Sequence, residues 1–407
     1  MYLDDILASQ KRGEAAGITS VCSAHPDVIS QALQTFRHPL IEATCNQVNQ
    51  FGGYTGMTPK DFAGFVRRLA DELHIAFDDI ILGGDHLGPH VWRNEPAGRA
   101  MELAKEMLAQ YVEAGFTKIH LDCSMRLGDD HSAAPEPSVA AQRAAELAGV
   151  AERHGNPRLR YVIGTEVPYP GGAVAHEEHV RVTEVDDVRE ALEIHSKAFH
   201  DLGLEPAWDR VVAIVVQPGV EFGDDFVMPY SPEAAQALSK FIEDQPLVYE
   251  AHSTDYQSSE ALKNLVRDHF AILKVGPALT FAYREAILAL AMIENECIKP
   301  EGRSNILGIL EHTMTAQPQH WRDYYLGSDE EQAFKRRFSL SDRIRYYWAL
   351  PNVQRALEKL MHNLGDGVLS YSLSSQFLGE TGLSARQAIR SRIGKVLNDY
   401  SSACEIG

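Results

Sequence analysis

The chain has 407 residues, with 38 Lys and Arg against 57 Asp and Glu, for a formal net charge of −19. So acidic a surface argues against nucleic acid, whose phosphates demand clustered Lys and Arg, and fits the solubility of an ordinary enzyme. The 44% hydrophobic content supplies ample core, and 5 cysteines without CxxC spacing point to reduced thiols in a cytosol. No signal peptide is visible at the start, and no apolar run reaches membrane-spanning length. These features predict a cytoplasmic protein that engages neither nucleic acid nor membrane.

Along the chain, apolar runs of strand length alternate with stretches of helical periodicity. The strand candidates are residues 18–22, 39–43, 79–82, 118–121, 160–164, 210–216, 247–250 and 271–275. Between them, residues 57–73, 98–113, 139–153, 186–202, 232–242 and 258–267 carry the apolar spacing of amphipathic helices. Alternating β and α units imply a parallel sheet, because each crossover returns the chain to the same end. Eight such units predict an α/β fold of the closed (β/α)8 TIM-barrel type. No GxGxxG turn follows the first strand, which removes the main mark of an open dinucleotide-binding sheet. The barrel is expected over residues 1–295. Residues 296–407 read as mostly helical, with 332–347, 352–362 and 384–400 the clearest pieces, and no Ser/Gly-rich linker sets them apart. They are expected to form a C-terminal extension packed on the barrel.

In the third unit, Ile80, Ile81 and Leu82 read as a buried strand and Gly83-Gly84 as a tight turn. Asp85 and His86 would then stand side by side at the strand's carboxyl end, where parallel α/β proteins carry their chemistry. The other strand ends present Ser23 and His25; Glu42, Asn46 and Gln47; Asp122 and Ser124; Glu166; Gln217 and Glu221; Glu250 and His252; and Lys274. Rich in oxygen and imidazole donors and poor in thiolate, this set suits a divalent metal of the zinc, manganese or cobalt kind, with open positions for substrate oxygens. A carboxylate beside such an ion can move a proton at a carbon made acidic by a polarised carbonyl. Plainer roles compete residue by residue. Asp85 and His86 could cap the following helix, Glu166 could be a salt-bridge partner, and a lone His252 is more often a hydrogen-bonded core histidine. Lys274 has the chemistry of a Schiff-base nucleophile, but the surrounding acids would hold it protonated. His120 and Cys123 read as packing or supporting groups.

Several longer segments carry a family resemblance. Val21-Cys-Ser-Ala-His-Pro26, the run from Glu42 to Pro59, and Gly83-Gly-Asp-His-Leu-Gly-Pro89 resemble the GatZ/KbaZ family. So do Gly164-Thr-Glu-Val-Pro168, Val216-Gln-Pro-Gly-Val-Glu-Phe222, Glu250-Ala-His-Ser-Thr-Asp-Tyr-Gln257 and Ser341-Asp-Arg-Ile-Arg-Tyr-Tyr-Trp348. Members of that family are described as the non-catalytic or chaperone-like subunit of the class II D-tagatose-1,6-bisphosphate aldolase. Some carry a tagatose 6-phosphate kinase label, and certain relatives act as metal-dependent ketohexose 4-epimerases. The resemblance implies a class II aldolase-like barrel in galactitol, galactosamine or tagatose catabolism, a sugar or sugar-phosphate ligand, and a catalytic aldolase subunit as partner. An oligomer is expected.

Against the class II aldolase pattern, Asp85-His86 resembles the catalytic Asp followed by a metal-binding His. Glu166 with Gly171-Gly172 resembles the strand-five Glu and its loop, and His252 resembles the strand-seven metal His. Strand six departs from the pattern, with Gln217 where a His is expected, and Ser253-Thr254-Asp255-Tyr256-Gln257 replaces the glycine-rich phosphate loop. The resulting expectation is one divalent metal held by His86, His252 and Glu166, with Gln217 nearby. Asp85 and Glu166 would move protons. Ser23, His25, Asn46, Gln47, Asp122, Ser253, Lys274, Arg343 and Arg345 would meet the substrate. Asn49 and Gln50 belong to the same polar run and could read sugar hydroxyls.

Two roles follow: a metal-dependent aldolase component or 4-epimerase, or a stabilising subunit without turnover of its own. The kinase label finds no GxxxxGKS/T or kinase-type Gly-rich loop. Asp342, Arg343, Arg345, Tyr346 and Tyr347 form a compact polar-aromatic run expected to close the barrel mouth. Arg343 and Arg345, two apart, cannot share a helix face, so one is expected to face the barrel and the other solvent.

Overall fold

All eight apolar runs form strands, and seven keep their expected bounds to within one residue. The computed structural model describes residues 2–131, 134–164 and 180–404. The strands are β1 (Ile18–Cys22), β2 (Leu40–Thr44), β3 (Ile81–Leu87), β4 (Lys118–Leu121), β5 (Arg160–Ile163) and β6 (Val211–Val216). A two-residue antiparallel pair follows, β7 (Glu221–Phe222) with β8 (Val227–Met228), and then β9 (Val248–Ala251) and β10 (Phe270–Val275). Every neighbour in the ring β1-β2-β3-β4-β5-β6-β9-β10 is parallel, and β10 returns to β1 to close the barrel. This is the predicted (β/α)8 architecture.

The crossover helices match their apolar periodicity to within two residues: Pro59–Glu72, Ala97–Glu113, Pro137–Glu152, Val185–Asp201, Pro232–Glu243 and Ser259–Arg267. Local chemistry sets their starts. Thr58 and Asp61 form a reciprocal capping box, and the Ser231 and Ser258 hydroxyls accept amides three residues on. Helices Tyr2–Lys11 and Pro26–Thr35 were not anticipated from the pattern. The first plugs the amino end of the barrel: Leu3 and Ile6 pack on Ile18, Leu40, Ile81, Val248 and Ile272.

The exception among the strands is β3, which continues through Gly83 and Gly84 to Leu87. The two glycines do not turn the chain; they make room. A Cβ at Gly83 would lie 2.4 Å from the Glu42 carboxylate inside the barrel, and one at Gly84 would lie 2.4 Å from Leu87.

Beyond helix Pro277–Cys297, the chain adds helices Ile306–Ala316, Asp329–Phe338, Pro351–Leu364, Tyr371–Leu378 and Ala385–Cys404. The expected helix over 332–347 stops at Phe338, where Ser339 turns extended, and a separate 3-10 turn, Arg343–Tyr346, follows Asp342 at φ +48°. Helix Ala385–Cys404 packs on β1 and on helices Pro26–Thr35, Ser259–Arg267 and Pro277–Cys297. Among the described residues no helix is long and apolar enough to cross a membrane.

Candidate metal centre at the barrel mouth

Side chains alternate across a strand, so every second residue of a barrel strand points inward. Read from the bottom up, the inward positions change from apolar to ionisable. Leu40 is followed by Glu42, Val248 by Glu250 and then His252, and Ile272 by Lys274, while Lys118 is followed by His120. Lys118, Glu42 and Glu250 are fully buried, with the ammonium 2.7 Å from Glu42 and 2.6 Å from Glu250. Above this charged layer lie the imidazoles.

Asp85 points inward by the same alternation, and His86 should therefore point outward. A bulge reverses it. Gly84 pairs with Ile119 but Leu87 with Leu121, so β3 spends one residue more than β4 over this stretch. His86 takes φ +47°, and its ring joins those of His120 and His252, with centroids 5.0–5.3 Å apart. Ligand atoms from Asp85, His86, His120 and His252 all lie within 4.8 Å of one another. These four could hold a metal ion. His120, read from sequence as a packing or supporting group, stands among them.

Each imidazole is oriented by a carboxylate. His86 Nδ1 lies 2.9 Å from Asp122, His120 Nδ1 lies 3.0 Å from Asp85, and His252 Nε2 lies 2.9 Å from Glu250. Such pairs fix ring orientation and raise ligand basicity. His120 Nε2 is buried without a hydrogen-bond partner, which leaves its lone pair available to a metal ion. Donor chemistry, spacing and this orphaned nitrogen all fit a divalent ion.

Burial would push the Asp85 carboxyl up, but His86, Lys274 and His120 outweigh it and hold the group well below the usual range. Asp122 is likewise held low, since its bond to His86 and its acceptance of the Ser124 amide and hydroxyl overcome burial. Burial would lower the Lys274 ammonium, yet Asp85 and Glu250 raise it, so the amine is protonated and no nucleophile. Its Nζ bonds Asp85 and lies 2.8 Å from His252 Nε2.

A cavity of about 310 Å³ opens over the cluster, at the lower end of the range for small-ligand sites. Of the anticipated residues, Ser23, His25, Asn46, Gln47, Asp85, His86, His252, Ser253, Lys274 and Arg345 line it. Asp122 stands behind His86. Gln217 is not among the lining residues: its Oε1 accepts the amides of Gly219 and Val220 at 2.8 and 3.0 Å, which folds the loop after β6. Asn49 and Gln50 bond the backbone at Cys45 and Leu103 and shape their own loop. Glu166, with Gly171 and Gly172, lies outside the described residues.

The arginine pair departs from expectation. Arg345 lines the cavity, its guanidinium bonded to the Ser341 and Asp342 carbonyls and to the Tyr346 hydroxyl. Arg343 does not reach solvent; it is buried against the Tyr324 ring and donates to the His320 carbonyl at 3.0 Å. The 3-10 turn and the left-handed Asp342 rotate both inward, which an α-helical projection could not foresee. Tyr346, Trp348 and Gln354 of the same region also line the cavity, so the extension does contribute to the mouth.

Sequence contained a signal for His120. It sits two residues after Lys118 and two before Asp122, the period-2 spacing of an inward face, although its neighbours Ile119 and Leu121 make the run look apolar.

Fold and site together define a (β/α)8 barrel whose carboxyl end carries a histidine–carboxylate cluster of the kind that binds divalent metals. The chain belongs to the D-tagatose-1,6-bisphosphate aldolase subunit GatZ/KbaZ-like family, whose model matches residues 3–405. It is 53% identical over 384 residues to the D-tagatose-1,6-bisphosphate aldolase subunit GatZ of Salmonella paratyphi B, covering 92% of this chain and 90% of the relative. Identity to the protein of the same name from Klebsiella pneumoniae is 49% over 419 residues, with 99% of each chain covered. The crystal structure of a probable tagatose 6 phosphate kinase from Sinorhizobium meliloti 1021 superposes with a TM-score of 0.87 at 44% identity, covering 95% of this chain and 100% of that one.

Proposed function

We propose that the chain acts in tagatose or galactitol catabolism as an aldolase component whose barrel site binds a divalent ion and a ketose or ketose phosphate. The observation that supports this most is the convergence of three imidazoles and Asp85 at the barrel mouth, with His120 Nε2 buried and unpartnered. His86, His120 and His252 would hold the ion, with Glu166 a further proposed ligand. When bound, it would polarise the substrate carbonyl and acidify the adjoining positions. Asp85 then takes a proton from a substrate hydroxyl and returns it after the carbon–carbon bond has broken or re-formed. Lys274 keeps Asp85 ionised and aimed at the cavity, and Asp122 holds His86 in the tautomer that presents Nε2. Re-formation on the opposite carbonyl face would make the same site a ketohexose 4-epimerase.

The test is metal analysis of the purified chain, followed by assays on ketohexoses and their phosphates. About one equivalent of ion is expected, reduced by at least about tenfold in affinity in His120→Ala, since losing even an outer-shell partner costs ten- to a hundredfold. Asp85→Asn should lower turnover by at least about 10²-fold.

A second reading, a stabilising subunit of a separate catalytic aldolase, is favoured by the name "subunit" borne by the curated relatives and by Gln217 at the end of β6. A chain that purifies without metal and is inert toward ketohexoses alone, yet stabilises an aldolase partner, would establish that role. A kinase role draws no support from the sequence, which holds no GxxxxGKS/T loop.

A further inference from the structure

Among the described residues, six Lys and Arg side chains are buried: Lys118, Arg143, Lys274, Arg284, Arg336 and Arg343. Five of them meet a carboxylate. Lys118 and Lys274 share Glu250 and add Glu42 and Asp85, while Arg143, Arg284 and Arg336 meet Asp130, Asp342 and Glu311. That is the expected pattern, because a buried charge left unpaired is costly. Arg343 breaks it. It donates to the His320 carbonyl and lies over the Tyr324 ring, and its Nε is buried with no hydrogen-bond partner. Two residues on, the partners of Arg345 are also neutral: the Ser341 and Asp342 carbonyls and the Tyr346 hydroxyl. The carboxylate nearest in sequence, on Asp342, is taken by Arg284 and Thr280.

Arg345 lines the barrel cavity, as do Tyr54 and Tyr346. The rings of Tyr54 and His320 each pack on that of Tyr346 with centroids 4.6 Å apart. The Tyr346 oxygen accepts from Arg345, which leaves its own proton for an acceptor in the cavity. Burial would raise the Tyr346 phenol, but Arg345 and Arg343 outweigh it and hold the group below its ordinary value. Two fixed positive charges thus stand together at the cavity wall with no fixed negative charge to answer them. A phosphate monoester supplies what is missing. It approaches a dianion at neutral pH, it accepts the parallel donors of a guanidinium fork, and it can take further bonds from phenolic hydroxyls. A carboxylate would answer one charge of the two.

We propose that Arg345, backed by Arg343, is a specificity-determining residue that holds the phosphate of a ketose phosphate on the side of the cavity formed by the C-terminal extension. This rests on the sugar-site reading above.

Calorimetric binding of D-tagatose and D-fructose, their 1- and 6-phosphates, and D-fructuronate to the full-length chain tests this. A monophosphate should bind at least about tenfold tighter than its parent sugar, the scale of one charge-assisted bidentate contact, and Arg345→Met should cut that preference by at least about tenfold. Saturating inorganic phosphate should also raise the pH at which one tyrosine of the unaltered chain ionises, because it answers the charges that acidify Tyr346. Tyr346→Phe should abolish that shift in phenolate absorption. The titration needs no change at Arg345, so it decides the matter if Arg345→Met does not fold. Parent sugars that bind as tightly as both monophosphates, a preference that survives in folded Arg345→Met, or an unmoved titration overturns the inference and leaves the sugar site standing. Tighter binding of D-fructuronate than of either phosphate also overturns it, as the mark of a carboxylate site. Failure of every ketose, free or phosphorylated, removes the sugar reading and this inference with it.

Discussion

At His86 the backbone holds φ +47°, a conformation that costs a non-glycine residue of order 1–3 kcal/mol. The cost turns an outward side chain inward. Replacing His86 with Gly should therefore give a protein more stable than His86→Ala by about 1 kcal/mol, although both lose the imidazole. Thermal unfolding of the two variants checks this, and equal stabilities would mean that the bulge is not strained. Two residues on, Gly88 is extended, so its role is space alone. A Cβ there would lie 1.7 Å from the Asp122 carbonyl oxygen, which is backbone and cannot move aside. Gly88→Ala should destabilise by at least the 1–3 kcal/mol typical of overpacking and pull Asp122 away from His86. The comparison is Gly98→Ala, where a Cβ meets nothing within 4 Å and no loss is expected.

Among the elements, β2, β4 and β9 are tied under the imidazoles by the Glu42–Lys118–Glu250 ion group, which has no solvent contact. Removing one member of a buried ion group strands the others and costs about 3–5 kcal/mol. Lys118→Met should show that loss in chemical denaturation and should also release Glu250 from its place beside His252. A variant of native stability would mean that the two carboxylates are protonated and need no counter-charge. The C-terminal helix acts on the site through one hydroxyl, since Tyr400 bonds both the carbonyl and the hydroxyl of Thr254. Tyr400→Phe should cost about 1–2 kcal/mol, and hydrogen exchange should quicken in the loop from Ser253 to Gln257 ahead of the rest of the barrel.

For the whole molecule, a buried histidine adds to the loss of stability in acid. Burial pushes the His195 imidazole down to about 4, against the pull of its bond to the Ala191 carbonyl. The unfolded chain takes up this proton near pH 6.5 and the folded chain only near pH 4. Stability is thus fully present above about pH 6.5 and is lost as the pH falls toward 4, by about 3 kcal/mol from this residue. His195→Leu should flatten that slope in denaturant titrations at pH 7, 6 and 5; an unchanged slope would place the proton uptake elsewhere.

The barrel is legible in local pattern alone. Strand-length apolar runs and 3.6-period helices are local patterns, written over consecutive residues, and seven of the eight strands begin and end within one residue of where those patterns put them. Local pattern also shows which strand ends carry Asp85, His86, His252 and Lys274, because a strand's carboxyl end follows once the strand is placed. Tertiary structure decided what the pattern could not hold. Gly83-Gly84 looked like a turn because glycine permits turning, but the reason for those glycines is the Glu42 side chain of a neighbouring strand. His120 was hidden because both faces of a parallel strand are buried, so an inward imidazole and an outward leucine sit in one apolar run. Arg343 and Arg345 were placed on opposite faces of a helix that in fact ends at Phe338, ahead of a left-handed Asp342 and a 3-10 turn. For the glycines and His120 the deciding contacts join residues distant in sequence, which closure of the barrel brings within reach; for the arginine pair the backbone between Ser339 and Tyr346 decides.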